Sequence, residues 1–228
     1  YGIAKNILKH KNYLFVIANK NRKPIDKIVN EGAKEVKSFE EFANKNLDAL
    51  IMCVTNTPIA KSISEKISKV LNSKTLIIDI TTHNKTGSIE TEQIFKSNNI
   101  NYIECPVMGG PGQAEEGILG GIVGGSDENF KLSEPYLKMF CKDYFYFGPV
   151  GMGAKSKLLN NFLSLGNAAL VNHLAKTATE LGLDLQKVFD VAKLGSGNSA
   201  GLVRIFENLL KGDFTGFKFT STNSVQLI

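Results

Sequence analysis

Lys157 and Asn161 are the residues whose types and spacing most plainly suit chemistry, four apart in Gly151-Met-Gly-Ala-Lys-Ser-Lys157-Leu-Leu-Asn-Asn161. The stretch reads as helix, so the two side chains project from one face, one turn apart. An ammonium beside a carboxamide can protonate a carbonyl oxygen and orient it. A helical lysine is by default a solvated charge, so the pair takes its meaning from its surroundings. It follows a Gly148-Pro-Val-Gly-Met-Gly153 bend, where alternating strand and helix give way to helix alone.

Three further segments carry groups of suitable type. Asn19-Lys20-Asn21-Arg22-Lys23 ends a short apolar run. In a dinucleotide-binding fold the end of the second strand meets the adenosine ribose, where an acidic residue accepts from a 2′-hydroxyl and basic residues suit a 2′-phosphate. The segment therefore leans towards NADP, the plain alternative being a basic polar loop. Glu104-Cys-Pro-Val-Met108-Gly109-Gly110-Pro-Gly112 places two glycines after a strand. Their N–H groups can approach and donate to a carboxylate, or simply make a tight turn. Thr81-Thr82-His83 closes another strand, at the edge where open α/β sheets bind ligands. Thr82 can bond a ligand oxygen or cap the next helix. His10, His83 and His173 have no acidic or cysteine partner at motif spacing, and none is assigned to catalysis or metal binding.

The elements that must position these groups follow from periodicity. Residues 3–10 and Pro24 to Glu31 read as helices, the second closed by Gly32; Tyr13 to Ala18 reads as a strand. Strands at Leu47 to Val54, Thr75 to Ile80, Tyr102 to Glu104, Ile118 to Val123 and Tyr144 to Phe147 alternate with helices at Ile59 to Leu71, 86–98 and 127–140. Alternation at this spacing predicts an α/β fold, a Rossmann-type doubly wound parallel sheet with helices on both faces. From Ala154 to Leu181, Leu185 to Leu194 and Leu202 to Leu210 only helical periodicity remains, so residues 150–228 are expected to form an all-α domain after a dinucleotide-binding domain over 1–149. The chain opens one turn into a helical pattern, without an initiator Met, so a strand and a glycine-rich pyrophosphate turn are expected before it, and it looks cut at its other end too.

Composition narrows the partners. Of 228 residues, 43% are hydrophobic and 21% charged, and no long apolar run or secretory pattern occurs, which gives no support to membrane insertion or export and predicts a cytosolic protein. Cys53, Cys105 and Cys141 are odd in number and lack Cys-x-x-Cys spacing, so they read as buried free thiols rather than disulfides or zinc ligands. The net charge of +5 is concentrated near the start, yet without the aromatic interleaving of a nucleic-acid surface, so no nucleic-acid partner is expected.

Taken together, the segments resemble the β-hydroxyacid dehydrogenase family over essentially the whole chain. Ala4-Lys-Asn6-Ile7 looks like the family's Ala-x-Asn-Leu, which follows its Gly-x-Gly-x-x-Gly; Asn19-Lys20-Asn21 is similar to its Asn-Arg-Thr, and Gly32-Ala33 recurs. Ile78-Asp79-Ile80-Thr81-Thr82 resembles Ile-Asp-x-Ser-Thr, and Glu104 to Gly110 resembles Asp-Ala-Pro-Val-Ser-Gly-Gly. Gly151-x-Gly153 with Lys157-x-x-Asn160-Asn161 is similar to the catalytic stretch. The resemblance implies Lys157 as catalytic acid and base and Asn161 as its substrate-orienting partner. It implies a substrate carboxylate held by Gly109 and Gly110 with Thr82, and cofactor contacts at Asn19, Lys20, Asn21, Arg22, Val54, Thr55 and Thr82. The implied cofactor is NADP, with NAD possible in its place. The implied reaction interconverts a small β-hydroxy acid and its semialdehyde or keto acid, in a homodimer or homotetramer formed through the helical domain.

Three departures bear on this. Val54-Thr55 replaces Leu-Pro, at contacts made largely by backbone. Met108 replaces a serine whose hydroxyl donates to the carboxylate, a loss worth about 0.5–3 kcal/mol. Ser221-Thr-Asn223-Ser224-Val225 stands where the family has a Lys-Asp pair. The second reading is accordingly a dinucleotide-binding or scaffold protein of the same fold without turnover.

Overall fold

The computed structural model describes residues 1–10, 13–17 and 21–213. Asn19, Lys20 and the segment 221–225 lie outside the described residues. The described chain divides into two compact units, Tyr1–Lys157 and the part from Leu158 onward, the division falling inside one long helix.

In the first unit, helix α1 (Gly2–Lys9) leads to strand β1 (Phe15–Val16), helix α2 (Arg22–Asn30) and strand β2 (Lys34–Glu35), which pairs parallel with β1. Then come β3 (Ala49–Met52), α3 (Thr57–Ile67), β4 (Leu76–Asp79), α4 (Lys85–Lys96) and β5 (Asn101–Glu104). These three strands pair parallel in the order β3-β4-β5, placing Met52 beside Asp79 and Asp79 beside Glu104. All four residues of β4 are buried, which is why Leu76-Ile-Ile78 reads as a continuous apolar run instead of an alternating one, closed by the buried Asp79. Ile77 packs on one face with Phe95, Tyr102 and Met52, while Leu76 and Ile78 face the other with Ile103, Leu137 and Phe140.

The remainder of the unit is β6 (Val107–Met108), α5 (Pro111–Glu116), β7 (Leu119–Val123), α6 (Asp127–Leu137) and β8 (Cys141–Tyr146), joined in the order β6-β7-β8. β7 and β8 are parallel, but β6 runs antiparallel to β7, and a bridge between Glu104 and Gly124 continues that pairing. The strands expected at Ile118 and Tyr144 are present. β2, β6 and α5 were not expected: the strands are two residues each, and α5 is six residues opening on Pro-Gly, too short for periodicity to register. Asn6 of α1 donates to Ala114 O at 2.7 Å and Glu115 O at 3.2 Å, stitching α1 to the last turn of α5. Cys105 and Cys141 are buried as expected, but Cys53 is exposed, because it lies just past the end of β3.

The long helix α7 (Met152–Glu180) continues into the second unit, which adds α8 (Leu185–Leu194) and α9 (Ala200–Leu210). Asp184 and Ser199 cap the last two helices through their side chains. Their core is a cluster of Ala168, Val171, Ala175, Phe189, Leu202, Ile205 and Phe206, with Phe189 stacked on Phe206. No helix among the described residues is long and apolar enough to cross a membrane.

Candidate active site

Two parallel neighbours, β4 and β5, each end in a buried carboxylate. Asp79 at the end of β4 is fully enclosed and accepts from Thr81 N at 2.9 Å, from Tyr102 Oη at 3.0 Å and from His83 Nε2 at 2.8 Å. A carboxylate oxygen accepts, so the His83 ring donates through Nε2, and its Nδ1 lies 3.0 Å from the Thr57 hydroxyl. Burial and the neighbouring carboxylates Asp79 and Glu104 push the Tyr102 phenol well above its usual range, so it remains a donor. This corrects the expectation that His83 lacks an acidic partner. The partner is four residues earlier but on a strand, where that separation does not bring side chains together, and only the bend at Thr81 folds the imidazole back onto it. The network fixes the exit of β4 against the start of α3.

Thr82 follows this turn, half-buried. It does not cap α4: Asn84 does, accepting from Gly87 N at 2.8 Å. Val54 and Thr55 leave the end of the adjacent strand β3, and Val54 N donates to Thr81 Oγ1 at 3.3 Å, so the exits of β3 and β4 are tied. At the start of α2, Asn21 is spent as the cap, accepting from Lys23 N at 3.2 Å. Arg22 is ion-paired to Glu35, and to Asp26 at 2.8 Å, and these hydrogen bonds raise its guanidinium above its ordinary range.

Glu104 at the end of β5 also has no solvent exposure. Its Oε1 accepts from Gly151 N at 2.7 Å and Ala154 N at 3.2 Å, the first turn of α7. Burial pushes its carboxyl upward, and the nearby Ser88 hydroxyl and the N–H groups of Ala154, Gly151 and Gly153 oppose that shift. Ser88 Oγ lies near enough to favour the charged form, although neither it nor Glu104 Oε2 meets hydrogen-bond geometry with any of the described residues. Two residues beyond Glu104 the chain passes Pro106 into β6, and there Val107 O accepts from Lys157 Nζ at 2.9 Å. Burial lowers the pKa of this half-buried amine from its ordinary 10.5.

Lys157 is therefore brought to the Val107-Met108-Gly109-Gly110 segment. Gly109 is exposed with φ +121°, a left-handed backbone that suits glycine. The Gly110 N–H, an expected carboxylate donor, is taken by Gln113 Oε1 at 2.9 Å, because a glutamine at the third position of a helix reaches back to its cap. Met108 lies over Gly120, its Cε 3.2 Å from where a β-carbon there would stand. Asn161, one turn past Lys157 on α7 and within the second unit, is 5% exposed, and its Nδ2 has no hydrogen-bond partner among the described residues. Sequence does not single out Tyr102 or Gln113, it sets His83 aside, and it offers Asp79 and Glu104 only as parts of motifs. The signal for Glu104 was available as a carboxylate in a strand otherwise fit for burial.

Comparison with known proteins bears on the family and the fold. The family model for the NAD binding domain of 6-phosphogluconate dehydrogenase matches residues 1–148. A probable mitochondrial 3-hydroxyisobutyrate dehydrogenase of Dictyostelium discoideum is 26% identical over 196 residues, covering 85% of this chain and 60% of that protein. The 2-(hydroxymethyl)glutarate dehydrogenase of Eubacterium barkeri is 26% identical over 220 residues, covering 94% of this chain and 72% of that protein. In fold, a crystal structure of 3-hydroxyisobutyrate dehydrogenase from Salmonella typhimurium superposes with a TM-score of 0.83 at 22% identity, over 93% of this chain and 75% of that one. With its parallel-stranded, dinucleotide-binding first part and its helical continuation, the chain belongs to the β-hydroxyacid dehydrogenase family.

Proposed function

We propose that the protein is an NAD(P)-dependent oxidoreductase that interconverts a small β-hydroxy acid and its semialdehyde or keto acid, with Lys157 as general acid and base. The observation that carries this reading is the half-buried Lys157 amine at Val107 O, at the head of the Met108–Gly110 segment, with its pKa lowered by burial. Such an amine exchanges protons more readily near neutral pH than a solvated lysine does. When bound, the nicotinamide supplies or accepts the hydride. Lys157 donates a proton to the oxygen of a carbonyl substrate, or takes one from the hydroxyl in the oxidative direction. Gly109 and Gly110 receive the substrate carboxylate, which requires the Gln113 side chain to release the Gly110 N–H. Asn161 orients the substrate, a role supported by its unpartnered amide nitrogen.

The dinucleotide fits the exits of β1, β3 and β4, where Thr82 stands half-buried and Thr55 exposed. NADP is the proposed preference, resting on the basic run Lys20 to Lys23. Because Arg22 is shared between Asp26 and Glu35, that preference over NAD is expected to be modest. The helical unit leaves Leu170 70% and Leu194 89% exposed, which supports assembly of like copies into a homodimer or homotetramer through it. Oxidation of 3-hydroxyisobutyrate, D-glycerate and 4-hydroxybutyrate, each with NAD and with NADP, tests the reading, and absence of turnover with all six pairs overturns it.

A second reading, a dinucleotide-binding protein without turnover, is favoured by the occupied Gly110 N–H and by Met108 in the serine position. Cofactor binding by fluorescence titration, combined with no turnover in that panel, selects it.

A further inference from the structure

Helix α7 begins without a local side-chain cap. Pro149 O takes the Met152 N–H at 3.1 Å, but Pro149-Val-Gly151 offers no side-chain oxygen to the N–H groups on either side of it, so their acceptor comes from elsewhere. Glu104, 47 residues upstream of Gly151, supplies it, and a carboxylate at this end of a helix also meets the favourable end of the dipole. There is no slack around it. A β-carbon on Gly124 would stand 2.3 Å from Glu104 Oε1, and one on Gly153 would stand 3.0 Å from the same atom. Three residues beyond Glu104, Val107 O takes the Lys157 amine; three residues before Lys157, Ala154 N meets Glu104. The same short segment of the β5–β6 connection is thus tied to the same helix by two rungs, one turn apart, with Pro106 stiffening the span between them.

We propose that Glu104 is a positioning residue, holding the first turn of α7 against the end of β5 so that the Lys157 amine stays at Val107 O beside the Met108–Gly110 segment. The inference rests on the role proposed for Lys157. Glu104 acts through its hydrogen bonds to the Gly151 and Ala154 N–H groups, whereas the Lys157 amine itself bonds Val107 O. A neutral side chain of the same reach should therefore serve, and a truncated one should not.

The test compares Glu104→Gln and Glu104→Ala with the unaltered full chain, following the Lys157 titration by ¹³Cε-labelled lysine NMR, together with kcat and KM. In Glu104→Ala the midpoint is expected to climb towards 10.5, and kcat to fall about 10–100-fold with little change in cofactor affinity, as a displacement near 1 Å would produce. Glu104→Gln should rescue both. If Glu104→Ala does not fold, Glu104→Asp, which withdraws the carboxylate by one methylene, should show the same changes in smaller degree. Unchanged titration in the shortened variants overturns the proposal, as does a loss in Glu104→Gln equal to that in Glu104→Ala. The titration is read without substrate: a midpoint that moves as expected in a protein lacking all turnover upholds the positioning role and sinks the proposed reaction instead.

Discussion

Asp79 and Glu104 are register partners on adjacent strands, both sealed from solvent, yet they are satisfied in opposite ways. Asp79 gathers a side-chain cage of histidine and tyrosine, with one backbone N–H, all within the sheet and the turn that follows it. Glu104 takes its hydrogen bonds from Gly151 N, 47 residues later, and from the first turn of the helix that follows, and one of its oxygens makes none among the described residues. The difference teaches what each strand end is for. A caged carboxylate fixes local architecture, whereas one spent on a distant helix transmits position to whatever that helix carries, here Lys157.

The largest effect that would separate the two ends is chemical. Lys157→Ala is expected to lower turnover about 10²–10⁴-fold while cofactor affinity holds, as measured by steady-state rates beside a fluorescence titration. Because burial lowers the Lys157 pKa, hydroxy-acid oxidation, which needs the neutral amine, should rise with pH through a midpoint below 10.5. Carbonyl reduction, which needs the ammonium, should fall through the same midpoint. Next comes Asp79→Ala. It strands His83, Tyr102 and Thr81 N, each loss costing about 1–3 kcal/mol, so a stability loss of at least about 3 kcal/mol is expected in urea unfolding. Should that variant unfold with the midpoint of the wild type, the architectural role of the cage is wrong.

The folding grammar was open to reading where it is written in long signals. The apolar runs of β3, β4 and β7 and the periodic stretches of α3, α4, α6 and α7 announce themselves, because burial of a whole strand or one helix face needs many residues of one kind. What stayed hidden is made of short or distant pairings. A two-residue strand such as β6 has no period, the Asp79–His83 bond depends on a turn at Thr81, and the Gln113 side chain on Gly110 N becomes visible only once α5 exists. Lys157 could be picked out on its spacing and its motif, but its neighbour Val107 O belongs to a segment fifty residues away.

Smaller effects refine the contrast. Gly124→Ala drives a methyl against Glu104 Oε1 and should cost about 1–3 kcal/mol of stability, with some loss of turnover, whereas the same change beside Asp79 has no counterpart. Smallest is the charge itself. Burial raises the Glu104 pKa from its ordinary 4.5, so its contribution to stability is fully present below that value and is lost as pH rises through the folded-state pKa. Glu104→Gln removes this dependence while keeping the acceptor. Its stability relative to wild type should grow with pH above 4.5 and then level off, readable as a difference in melting temperature across buffers. A flat difference would mean that the carboxylate is better solvated than its enclosure implies.

The stitch from Asn6 to the last carbonyls of α5 has its own implication for engineering this scaffold. The opening helix and the helix behind Gly109 and Gly110 share one amide as a common pivot, so neither can be tilted without dragging the other or giving up both bonds. Substitutions that tilt α1 should therefore shift the Gly109–Gly110 segment as well, even when no residue of that segment has been touched.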